Sequence, residues 1–314
     1  MSTFNDPNQQ SKENYFLSQP HQPFFIAGVF WAVISMLIFG IAYKLLFKGS
    51  DILSISPSIF HTYSLLYMVF TQFFIGFLYT TFTKFCQTDP VGKSYYLITF
   101  LLFQSGALLF TLGAFIGQPL LVVGMVLLFL GMASFTWKLF TIYQISTAPL
   151  KEDQLWILIA IIIGLVMQGV AIAELLLFHS QYAYKIAFTL YATFLTFVVA
   201  QRMVPFFSHS MVKKRAYFLP IVFVALTLSV IGELIHLPIL SAIVSLVLSI
   251  FLAFEFKRWN FNIKESPAIL QILQIALFWF ALALFLGSLS TLAEITLQRS
   301  FYYAQTHLIA LGFI

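Results

Sequence analysis

The sequence predicts an all-α fold, a polytopic transmembrane helix bundle, and three observations predict it. Hydrophobic residues make up 61% of the 314 and aromatics 18%, while charged residues make up only 9%; an ordinary soluble domain carries roughly 25% charge. Apolar runs of about 20 residues recur, each long enough to cross a hydrocarbon core of roughly 30 Å as a helix. The runs lack the alternation of a barrel strand, and a span in lipid must satisfy its own backbone hydrogen bonds.

Charge, proline and glycine punctuate the runs. Residues 24–46 follow Pro23, and 60–83 stop at Lys84. Residues 95–116 lie between Lys93 and Gly117, and 120–141 follow Pro119. Residues 155–178 follow Glu152 and Asp153, and 183–204 stop at Pro205. The basic run Lys213-Lys214-Arg215 precedes 217–235; Pro238 opens 238–256, and Pro267 precedes 268–290. That makes nine full spans, with a truncated tenth beginning near Phe301. The expected organisation is a cytoplasmic tail over 1–23 and a transmembrane helical domain over 24–314, incomplete at its C-terminus. The polar first 20 residues lack the ordered regions of a signal peptide.

The formal charge of +5 resides in short loops between apolar runs, which argues for topology rather than a nucleic-acid partner. Alternating sides of the nine spans collect 12 and 4 of the 16 Lys and Arg, with Lys213, Lys214 and Arg215 weighing most. By the positive-inside rule the N-terminus is expected in the cytoplasm. That orientation places His61, His179, His236 and His307 toward the outer face, and His21 and His209 toward the cytoplasm. With a single cysteine, Cys86, a metal site in one chain must draw on His, carboxylate or Met.

Neutral imidazole ligates transition metals and haem iron, which makes His61 and His307, slightly inside their spans, the leading candidates. His179 and His236 are weaker candidates at the outer ends of their spans. Glu233 and His236, spaced i, i+3, are expected on one face of the seventh span, as a metal or proton-relay pair. Glu174 is expected about a turn inside the fifth span, facing the same cavity. Glu255, beside Lys257 and Arg258, reads as a surface charge. Pro205 is expected to end its helix, leaving Arg202 to snorkel or clamp an anion such as a haem propionate or lipid phosphate.

The ordered motifs His21-Gln22-Pro23-Phe24-Phe25, His61-Thr62-Tyr63-Ser64-Leu65, Arg202-Met203-Val204-Pro205-Phe206-Phe207 and His307-Leu308-Ile309-Ala310-Leu311-Gly312 run along nearly the whole chain and together resemble the NnrS family of bacterial inner-membrane haem- and copper-containing proteins. His21-Gln22-Pro23-Phe24-Phe25 is similar to the family's entry to the first span. His61-Thr62-Tyr63-Ser64-Leu65 with Gly76-Phe77-Leu78-Tyr79-Thr80 is similar to its second span, although Tyr63 and Ser64 stand where the family has His and Glu. Arg202-Met203-Val204-Pro205-Phe206-Phe207 resembles the family's G-R-x-I-P-F-F, with Gln201 replacing Gly. Arg258-Trp259, Pro267, Phe278-Trp279 and His307-Leu308-Ile309-Ala310-Leu311-Gly312 follow in order.

The resemblance implies haem and copper as cofactors, a multi-pass place in the bacterial inner membrane, and a role in the response to nitric oxide and nitrosative stress. It marks His61, His307 and Arg202 as cofactor-binding. His61, His307, His21, His236 and Glu233 form the candidate metal set, with His21 serving a separate site. The expected partners are the bilayer and nitric oxide. The rival expectation is a proton- or ion-coupled transporter whose path is lined by Glu174, Glu233 and the outer histidines.

Overall fold

The computed structural model describes residues 15–178, 180–208, 212, 215, 217–261, 263–297 and 303–314. His179, His209, Lys213, Lys214 and Phe301 lie outside the described residues. Among those described, the regular elements are helical. The chain divides into two compact units, one ending at Gln154 and the other beginning at Leu155. Among the described residues, eight helices are long and apolar enough to cross a membrane.

In the first unit, α1 spans His21–Leu46, α2 Pro57–Cys86, α3 Lys93–Ile116 and α4 Gln118–Gln144. Helix α2 starts where Ser56 caps it, its Oγ accepting from Ile59 N at 3.2 Å with Pro57 at the first helical position. It ends at Gln87, whose left-handed φ of 55° closes the last turn. Within α2 the stretch Ser64–Phe70 is π-helical. There Thr71 Oγ1 donates to Leu66 O at 2.9 Å and Gln72 Nε2 donates to Met68 O at 2.8 Å. Gln72 also accepts from Gln104 Nε2 (2.8 Å), and Gln104 Oε1 accepts from Trp31 Nε1 (2.8 Å). One neutral polar chain therefore joins α1, α3 and α2, satisfying amides that lipid cannot.

Helices α3 and α4 turn on Gly117, whose φ of 154° a side chain would strain. They approach backbone to backbone. A Cβ on Gly106 would lie 2.8 Å from Leu128 N, one on Gly131 would lie 2.6 Å from Phe103, and those on Gly113 and Gly124 would collide with the backbones of Leu121 and Phe110. Each pair of glycines is seven residues apart on its helix, so the small positions recur along the same contact seam.

In the second unit, α5 spans Glu152–Phe178, α6 Tyr182–Phe207, α8 Pro238–Trp259 and α9 Ala268–Leu297. Two shorter helices, α7 (Phe218–Leu234, 17 residues) and α10 (Ala304–Gly312, 9 residues), also belong to it. Serines mediate the contacts of α8. Ser229 of α7 lies 3.0 Å from both Ser241 and Ser245, Ser249 donates to Ala281 O at 2.7 Å, and Ser288 donates to Ala242 O at 2.8 Å.

Candidate functional site

The family-like motifs meet in pairs inside each unit. In the first, His21 opens α1 against the far end of α2. Thr80 Oγ1 donates to Gly76 O (2.9 Å) and stands 3.5 Å from His21 Nδ1. Gly76 lets the two motifs touch, because a Cβ there would lie 3.0 Å from Phe24 and Phe25 side chains and 3.1 Å from His21 Cα. Phe24, fully buried, meets Phe100 edge-on at 5.3 Å.

His61 sits one turn into α2 with its ring stacked on Phe39 of α1, centroids 4.2 Å apart and planes at 22°. Because His21 touches Thr80 while His61 touches the later part of α1, the two histidines occupy opposite ends of the α1–α2 pair, roughly 28 Å apart along α2 at the helical rise per residue. They cannot share one metal ion.

In the second unit the Phe278-Trp279 and His307–Gly312 motifs meet. Trp279 Nε1 donates to Leu308 O at 2.7 Å, and a Cβ on Gly312 would collide with the Trp279 indole. Phe280 stacks on Phe313 with centroids 4.4 Å apart. An open groove of about 670 Å³ is lined by Ile275, Trp279, Ala304, His307, Leu308, Leu311 and Gly312. His307 is exposed, and its Nδ1 lies 2.8 Å from Tyr303 O. A carbonyl only accepts, so Nδ1 carries the proton and Nε2 the lone pair, the tautomer that metal-ligating histidines adopt.

A family model described as NnrS protein matches residues 15–314. The chain belongs to the NnrS family. It is accordingly a multi-pass helical membrane protein. No curated protein and no solved structure matches it.

Other polar positions of this NnrS family member differ from expectation. Glu233 and His236 do not share a helical face, because α7 ends at Leu234 and His236 is left-handed with φ 57°. The bonds His236 N to Glu233 O (3.3 Å) and Leu237 N to Gly232 O (2.8 Å) make this a Schellman ending with His in the position glycine favours. Glu233 lies instead 3.9 Å from Lys185 Nζ. Glu174, 4% exposed, is a helix cap. Its Oε1 accepts from Ser180 Oγ (2.8 Å), Tyr182 N (3.0 Å) and Ala183 N (3.3 Å), so the carboxylate faces the positive end of α6. Pro205 does not stop α6, which runs two residues further to Phe207. Proline removes one N–H, and Ser208 N still bonds Val204 O at 2.9 Å to hold the last turn. Arg202, half-buried, lies on that turn.

Glu255 is the largest departure. It is 1% exposed, held by Arg258 Nε (3.2 Å) and Nη2 (2.6 Å) and by Arg215. The i, i+3 spacing to Arg258 signals one partner in the sequence; Arg215 comes from another part of the chain and gives no such signal.

The haem and copper that the sequence resemblance implies make different demands on these residues. A histidine that would hold haem needs an imidazole with a fixed tautomer beside apolar walls, and His307 in its groove fits that description. Among the described residues no three His, Cys, Asp or Glu side chains gather as a metal site, so those residues do not by themselves build a three-ligand copper centre.

Proposed function

We propose that this protein is a haem-binding inner-membrane protein of bacteria, with copper as a second cofactor of the family, and that it acts in the response to nitric oxide or nitrosative stress. The observation that carries the reading is the His307 site. Its imidazole is fixed by the Tyr303 carbonyl and lies against Trp279 and aliphatic walls, on a motif that resembles one of the family whose model matches residues 15–314. His21, beside Thr80, is the second candidate ligand and His61 the third. Arg202 is a candidate for a cofactor's anionic groups, whereas His236 and Glu233 are weaker metal candidates because the turn at Leu234 separates them.

Haem bound at His307 would supply an iron that binds small apolar gases, in the bilayer where such gases partition. The chain's own residues hold the imidazole tautomer and line the open groove beside it with apolar walls. In this reading α7 is a ninth span, α10 starts a tenth, and the N-terminus is cytoplasmic, as the Lys and Arg distribution indicates. A transporter would use Glu174 and Glu233 along a path; Glu174 already caps α6, which favours the haem reading.

The test is an optical spectrum of the purified protein, with haem and copper quantified in His307→Ala, His21→Ala and His61→Ala. A Soret band that disappears in His307→Ala is the expected result. Full haem and copper in all three variants would overturn the assignment.

A further inference from the structure

The Arg215–Glu255–Arg258 cluster has no part in the haem reading. Glu255 is buried at 1% exposure, whereas Arg215 and Arg258 are 54% and 34% exposed. A carboxylate in that position carries a desolvation cost that only close, well-hydrogen-bonded cations offset. Both guanidiniums are thereby fixed at the last turn of α8 instead of snorkelling independently. One negative charge faces two positive ones, so the cluster keeps a net charge of about +1, and exposed Lys257 adds to it. Aromatic rings brace the base, with Phe218 and Phe256 packed on Trp259 at 5.8 and 5.2 Å. Immediately before this turn, Phe254 is 66% exposed on a helix suited to crossing a bilayer, so the charged cluster falls where the apolar surface gives way to headgroups.

We infer that this cluster is a binding site for the phosphate of an anionic phospholipid. The planar guanidinium of Arg215 engages Glu255 through Nε and stays half-exposed, a geometry suited to a phosphodiester oxygen. Glu255 orients the arginines, the apolar surface at Phe254 takes the acyl chain, and the net positive charge selects anionic over zwitterionic lipid.

The experiment uses the full chain in phosphatidylcholine nanodiscs and measures the rise in thermal unfolding temperature as phosphatidylglycerol is added, for wild type, Arg215→Gln and Lys257→Gln. Wild type is expected to be stabilised, with the half-effective lipid fraction raised roughly fivefold by Arg215→Gln and much less by Lys257→Gln. Reading the lipid-induced shift, not the baseline, separates binding from any loss of fold stability. Equal responses in wild type and Arg215→Gln, or equal losses in both variants, would overturn the site. Inorganic phosphate is the second arm: the same stabilisation at matched phosphate concentration would overturn the lipid assignment.

Discussion

The two units satisfy buried polar groups in different ways. In the first, the buried polar side chains among the described residues are neutral, such as Gln72, Thr99 and Thr136, and helices meet through glycines and a Trp31–Gln104–Gln72 chain. The second buries two carboxylates, Glu174 and Glu255, and sets each where a helix begins or ends. Neutral amides suffice mid-span because two helices can satisfy one another there. Charges are placed near helix termini, where backbone dipoles or arginines compensate them. An acidic residue within an apolar run therefore points first to how a span ends.

The sharpest way to break that contrast is Glu255→Ala, which leaves Arg215 and Arg258 without their shared anion. Truncating one partner of a buried pair costs roughly 3–5 kcal/mol; because both arginines reach solvent, about 2–3 kcal/mol is expected here. Unfolding in a denaturing detergent series measures it, and a loss below about 0.5 kcal/mol would make the pair a surface one.

The neutral unit is tested by Gly124→Ala. The added methyl collides with the Phe110 backbone, and overpacking costs about 1–3 kcal/mol, with the upper half expected because backbone yields less than a side chain. Gly40→Ala in α1 is the control: nothing lies within 4 Å of its Cβ, so a gain of up to about 0.5–1 kcal/mol is expected from helix propensity. Equal effects at both glycines would mean that the α3–α4 seam is looser than its geometry.

Nine apolar runs were legible because a span's length is set by the bilayer; a described helix overlies each, and eight of those helices are long and apolar enough to cross a membrane, α7 being shorter. Span ends were less legible. Pro205 was expected to stop α6 because proline disrupts a helix interior, yet Ser208 supplies the bond that carries the last turn. Glu174 gave no local sign of capping, since its acceptors' partners follow it by six to nine residues across a turn. Motif pairs such as His21 with Gly76 and Thr80 were quotable as segments of sequence. Their contact depends on antiparallel packing of α1 and α2, which spacing alone does not encode.

The smallest effect gives the sharpest answer about His236. As a metal ligand it would have to be retained; as the residue after a helix end it occupies φ 57°, where an L side chain is strained and glycine is not. His is among the non-glycine residues better tolerated there, so the native strain is modest. His236→Gly removes that strain but adds freedom to the unfolded chain, a net stabilisation of about 0.5–1 kcal/mol. His236→Ala removes the imidazole and keeps a Cβ in the left-handed position, so it should be neutral or slightly destabilising. Measuring unfolding midpoints together with metal content separates the two roles. A capping role predicts that glycine raises the midpoint above alanine while metal content stays at the wild-type level in both. A ligand role predicts that both variants lose metal equally, whatever their order in stability, and that result would return His236 to the metal set.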